Sequence, residues 1–198
     1  MAVTEYRGIR GLVAALLTAD TDTELTYDTP FKVAGVAELS KEVENGSEAH
    51  YYDNVAAVII DSEGPDTVTC NVSAIDLEVL ATLTGQTYDS ATDTFVEGES
   101  SRPYLAIGYI TENTNGEEIY VWRHKVKCSI PGATHNTKNN STEANGQELV
   151  FTGINTTHRF TKTGKTATAI NHKAGTLISE TEFFATVQDI DKLTALVH

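Results

Sequence analysis

The residues able to do chemistry are few and scattered. His124 and Cys128 are four apart, with His135 nearby. On a helix that spacing would put two metal ligands on one face. The segment around them alternates like a strand, where positions i and i+4 lie about 13 Å apart, so they read as packed strand residues. Cys70 lacks the flanking pattern of a thiol nucleophile. The pairs Asp20/Asp22 and Glu97/Glu99 sit in no calcium-type loop and read as solvated loop charges. Asn45, Asn71, Asn139, Asn140 and Asn155 each begin an N-x-S/T triplet. Such triplets are expected by chance in a chain with 29 threonines, and no glycosylation is assigned. Phosphate-cradling, nucleophile-elbow and dinucleotide motifs are absent. The expectation is a non-enzyme with no cofactor and no metal.

Composition narrows the class. The chain has 198 residues, 40% hydrophobic, which suffices for a core in one domain over 1–198. Its formal charge of -14 is the wrong sign for general nucleic-acid binding. Two cysteines are too few for a disulfide framework; both share strand faces with apolar residues and are expected to be free and buried. No stretch approaches the ~20 apolar residues of a membrane helix, so no membrane partner is expected. The apolar run Leu12 to Leu17 is too short for a signal core and reads as a buried strand of a protein made in a cytoplasm.

The charge is unevenly divided. Residues 1–100 carry 19 acids and 4 bases; residues 101–198 carry 9 acids and 10 bases. Two unlike faces suit head-to-tail stacking, which closes into rings or runs on as filaments. The many threonines favour pleated, half-solvated surfaces, hence a mainly β fold.

Along the chain, residues 1–11 read as an N-terminal arm. Phe31 to Glu44 alternates, and Glu44-Asn45-Gly46-Ser47-Glu48 carries the strongest hairpin-turn signal. Its flanks are long and charged, so residues 40–54 are expected to project. Val55 to Asp61 and Thr67 to Ala74 read as separate strands around a Glu63-Gly64-Pro65-Asp66 turn. Leu77, Leu80, Ala81 and Leu83 have helical spacing, with Ser73 as a capping residue and Gly85 as the stop. Pro103 to Thr111 and Glu118 to Ser129 form the clearest hairpin, turning at Asn115-Gly116. In its second strand Tyr120, Trp122, His124, Val126 and Cys128 share one face. Leu149 to Thr157 and Arg159 to Thr168 read as strands. Ser179 to Glu182 is a capping box before a short terminal helix.

The order of several segments resembles the phi13-type major tail proteins of long-tailed, non-contractile bacteriophages. These segments are Leu16-Leu17-Thr18-Ala19-Asp20, Tyr27-Asp28-Thr29-Pro30, Tyr51-Tyr52-Asp53, Leu83-Thr84-Gly85, Pro103 to Tyr109, and Tyr120-Val121-Trp122. The resemblance spans roughly residues 10–160; the Thr-rich segment from Arg159 to Thr176, within the C-terminal region 159–198, matches it poorly. It implies a β-sandwich or barrel-like tail-tube fold with a flanking helix, a long projecting hairpin and terminal arms. It further implies hexameric rings stacked into a tube that conducts DNA within the virion. Tape-measure, terminator and distal tail proteins would be partners. The assembly loop would comprise Ser40, Lys41, Glu42, Glu44, Asn45, Gly46, Glu48, Tyr51, Tyr52 and Asp53. Acids lining the lumen would be Glu38, Glu42, Glu44 and Asp61. The alternatives are a β-sandwich binding or adhesion module, disfavoured by a single Trp, another tail component such as a terminator, and a small hydrolase, which would need a polar pocket.

Overall fold

Residues 105–110 are buried on both sides, because alternate side chains of this segment enter two different apolar clusters. The computed structural model, which describes residues 4–52, 55–133, 146–175 and 177–193, builds a mainly β fold of antiparallel sheets around that segment. In chain order the elements are β1 (Tyr6–Asp20), β2 (Leu25–Tyr27), β3 (Phe31–Lys32), β4 (Val36–Tyr52), β5 (Val55–Val72), α1 (Leu77–Thr84), β6 (Thr87–Asp89), β7 (Thr94–Val96), β8 (Leu105–Asn113), β9 (Glu118–Cys128), β10 (Gln147–Gly153), β11 (Ala169–Lys173) and α2 (Glu180–Ala185). The main sheet runs β2-β1-β8-β9-β10-β5-β4. β11 pairs with β9 and β3 with β1, while β6 and β7 form a separate hairpin.

One cluster joins Leu12, Leu105, Ile107, Tyr109, Val68, Cys70, Leu149 and Phe151, and Leu83 brings α1 onto it. The other lies across the same strands and gathers Ala106, Ile110, Tyr120 and Trp122 beneath Phe183 and Val187. The C-terminal region thus covers the second face of β8 and β9. Trp122 Nε1 donates to the carbonyl of Phe183 at 3.1 Å, and Arg10 bridges Glu118 and Glu180 to hold α2 against β1 and β9.

Two bulges change which face side chains use. Between Arg10 and Val13, β1 has one residue more than β8, and Gly11 sits at φ 73, where a Cβ would be strained. Ile9 and Leu12 therefore both reach the first cluster. Between Leu105 and Ile107, β9 gains a residue, since their partners are Val126 and Arg123. This overturns the single alternating face of β9: Trp122 enters one cluster, Val126 and Cys128 the other.

Other differences from the sequence reading have similar causes. Tyr6 to Arg10, expected within an arm, extend β1 and pair with β8; residues 1–3 lie outside the described residues. Asn45-Gly46 is no turn, and neither is Gly64-Pro65, because β4 and β5 run on as one hairpin of 17 and 18 residues. The cap of α1 is Asp76, accepting from Glu78 N–H at 3.0 Å, while Ser73 Oγ accepts from Gly35 N–H. Residues 159–168 form no strand: Phe160 and Lys165 make one bridge across a tight turn, and β11 begins at Ala169. Gly85 closes α1 in the left-handed region, and Ser179 makes the capping box of α2, both as expected.

Candidate assembly surface

The β4–β5 hairpin has two parts. From Val36 to Val43, β4 pairs with Asp66 to Val72 of β5, whose other edge is hydrogen-bonded to β10. Beyond Asp66 the support of β10 ends. Asn45 to Tyr52 pair with Val55 to Glu63 and, among the described residues, with no other strand, a two-stranded ribbon about 25 Å long at the usual strand rise.

A bulge marks the junction. Val43 faces Asp66 and Asn45 faces Glu63, so Glu44 opposes both Gly64 and Pro65. A Cβ on Gly64 would lie 2.8 Å from Glu44 Cβ. The two turn signals of this region lie side by side at the bulge, with Gly64-Pro65 opposite Glu44 and Asn45-Gly46 opposite Glu63 and Ser62, and both stay within the ladder. Extending the ladder satisfies more backbone groups than a tight turn at Asn45-Gly46 would, and tertiary pairing wins over local propensity.

The ribbon is exposed. Val55 and Ile59 are each 65% accessible and Val58 is 49%, with Glu44, Asn45, Gly46, Ser47 and Glu48 exposed opposite. Isolated two-stranded ribbons are marginal in water, and an apolar strand with open edges is a template for pairing. Residues 44–63 hold five acids and no Lys or Arg.

The structure places the expected assembly residues unequally. Ser40, Lys41 and Glu42 belong to the supported part, in register with Thr69, Val68 and Thr67. Glu44 sits at the bulge. Asn45, Gly46, Glu48, Tyr51 and Tyr52 lie on the ribbon, while Asp53 lies outside the described residues. The second strand of the ribbon, Val55 to Glu63, was missed as a projecting element. Its signal was the apolar run next to acids, without the alternation of a half-buried strand.

The expected lumen acids also divide. Glu38 and Glu42 lie on the face of β4 turned away from the first cluster, beside Thr67, Thr69 and Asn71, with Glu148 and Thr152 of β10 one strand further. Asn71 Nδ2 donates to Glu38 at 3.1 Å. Glu44 sits at the bulge, and Asp61 lies on the ribbon in register with Ser47.

Several other titratable groups are held within the body. Cys70 and Cys128 are buried and free, and burial pushes both thiols up to about 12. Asp66 and Arg123, nearly fully buried, form an ion pair, and Tyr109 Oη lies 3.3 Å from Arg123 Nε. Asp20, expected to be solvated, is buried. Burial disfavours its charge, but bonds from Lys125 and the N–H groups of Thr157 and His158 outweigh this and hold its pKa below the usual carboxylate range. His124 is 1% exposed against Phe160 with neither ring nitrogen bonded. Burial lowers its pKa to about 4; Asp189 works against that shift and Lys192 with it. Among the described residues no cluster of His, Cys, Asp and Glu could hold a metal, and no helix is long and apolar enough to cross a membrane.

No protein-family model matches the chain, and no curated protein matches it in sequence.

Proposed function

We propose that this chain is the major tail tube subunit of a long-tailed, non-contractile bacteriophage, assembling into hexameric rings that stack into a conduit for DNA. The observation that carries this reading is the ribbon of residues 45–52 and 55–63, which leaves the body with Val55, Val58 and Ile59 in solvent and, among the described residues, no strand partner beyond its own two strands. An element of that length and composition suits a neighbouring subunit.

Other features support the same reading. β3 pairs with β1, and a few residues later β4 pairs with β5, so one chain segment touches both ends of the sheet order. That suits a sheet curled into a sandwich-like or barrel-like body with α1 at its flank. The β4–β5 end of the Thr-rich face, with Glu38 and Glu42, suits a lumen, since acids repel phosphate and leave DNA free to slide, while Lys127 lies two strands away at the β9 end of that face. The tube needs no cofactor and no membrane, and its natural partners are the tape-measure, terminator and distal tail proteins.

Electron microscopy of concentrated protein tests the reading. Hollow rings or stacked tubes are expected from the full chain. A variant with residues 45–62 replaced by a two-residue turn should remain a folded monomer. Tubes formed equally well without the ribbon, or a full chain that stays monomeric at every concentration, would overturn the proposal.

A further inference from the structure

The body carries a patch that complements the ribbon in both charge and apolar character. Lys127 of β9, in register with Thr152 of β10, lines a shallow groove of about 230 Å³ with Arg102, Tyr104, Ser129 and Ile154. Lys127 Nζ stands 4.4 Å from the centre of the Tyr104 ring. Arg102, Tyr104 and Ile154 are exposed, and Ile130 nearby is 53% accessible. The neighbouring Lys125 is neutralised by Asp20, whose oxygens also accept from the Thr157 and His158 N–H groups. Arg102 and Lys127 have no carboxylate partner among the described residues. Two cations beside exposed Tyr and Ile side chains form a surface for an acidic, apolar segment.

The chain itself contains such a segment. The ribbon with Glu44 at its base has five acids, no Lys or Arg, and a strand reading Val55-Ala56-Ala57-Val58-Ile59-Ile60. We infer that the Arg102–Tyr104–Lys127–Ile154 patch is the receptor for the ribbon of a second copy of this chain, with Glu44 and Glu48 approaching Arg102 and Lys127. The contact uses unlike surfaces on the two partners, so it propagates head to tail. Charge complementarity of this kind sets partner choice and register, while the apolar strip supplies buried area. This inference rests on the tube reading and names the surface that reading leaves open.

Charge reversal tests it in the full chain. Two variants, Arg102→Glu/Lys127→Glu and Glu44→Lys/Glu48→Lys, change exposed side chains and the half-buried Lys127, and should keep the circular dichroism and melting temperature of the unaltered chain. Each alone should assemble at least tenfold less by light scattering at ~150 mM salt. The quadruple variant, with both surfaces reversed, should assemble again, as should an equimolar mixture of the two double variants. If the unaltered chain assembles and either double variant does so equally well, this contact is wrong while the tube reading stands. Failure of the quadruple variant, folded and monomeric, overturns the contact too. An unaltered chain that never assembles overturns both. Should a reversed variant lose its fold, the neutral pair Arg102→Gln/Lys127→Gln replaces it, and undiminished assembly by that pair has the same overturning force.

Discussion

The body and the ribbon are built from the same hairpin and obey different rules. Within the body, β5 is hydrogen-bonded on both edges, and its inward residues Val68, Cys70 and Val72 are nearly inaccessible. Past the bulge at Glu44 and Gly64, the same strand has one neighbour and turns Val58 and Ile59 to water. The first half is stabilised by burial within one chain. The second half exposes apolar area that suits contact with another molecule. Stability and assembly should therefore be separable by mutation.

The largest effect should come from the body. Trp122→Ala removes a fully buried side chain and its bond to Phe183, and should cost about 3–5 kcal/mol in denaturant unfolding. The ion pair comes next. Arg123→Met strands the buried Asp66 carboxylate and should cost roughly 3 kcal/mol, and Asp66→Leu added to it should recover most of that loss. If the double variant is no better than the single one, the pair holds more of the body than its own charges.

His124 gives the body a pH signature. Its folded pKa, lowered from 6.5 to about 4, means that the unfolded chain takes up the proton first. This contribution is complete above pH 6.5 and is lost as pH falls toward 4, about 3 kcal/mol across that window. His124→Leu should flatten the decline between pH 7 and 5 in urea titrations. An unchanged slope would assign the decline to other groups.

The smallest effect on stability belongs to the ribbon. Val58→Ser with Ile59→Ser should shift monomer stability by less than about 0.5 kcal/mol while abolishing assembly. A large loss of stability would mean that the ribbon packs on its own body.

The difference between the two regions also decides what could be read from the sequence. The capping box at Ser179, the stop at Gly85, the β8–β9 hairpin and the burial of both cysteines rest on local chemistry and were legible. The course of the ribbon was not, because Asn45-Gly46 and Gly64-Pro65 are turn signals that lose to a ladder built by residues far apart in sequence. The bulge at 124–125 was equally silent: alternation continues through it, and only the partner strand shows the extra residue. Asp20 read as a solvated loop charge and Asp66 as a turn residue, and their places in the structure depend on Lys125 and Arg123, 105 and 57 residues away.

The most direct test of the ribbon as an intermolecular element is amide hydrogen exchange, measured on the free subunit and on the assembled particle. In the free subunit, amides of 45–52 and 55–63 should exchange orders of magnitude faster than those of β8 and β9. On assembly their protection should rise toward that of the body, with β8 and β9 little changed. Ribbon amides equally protected in both states, or equally unprotected in both, would contradict the assignment of this hairpin to a neighbouring subunit.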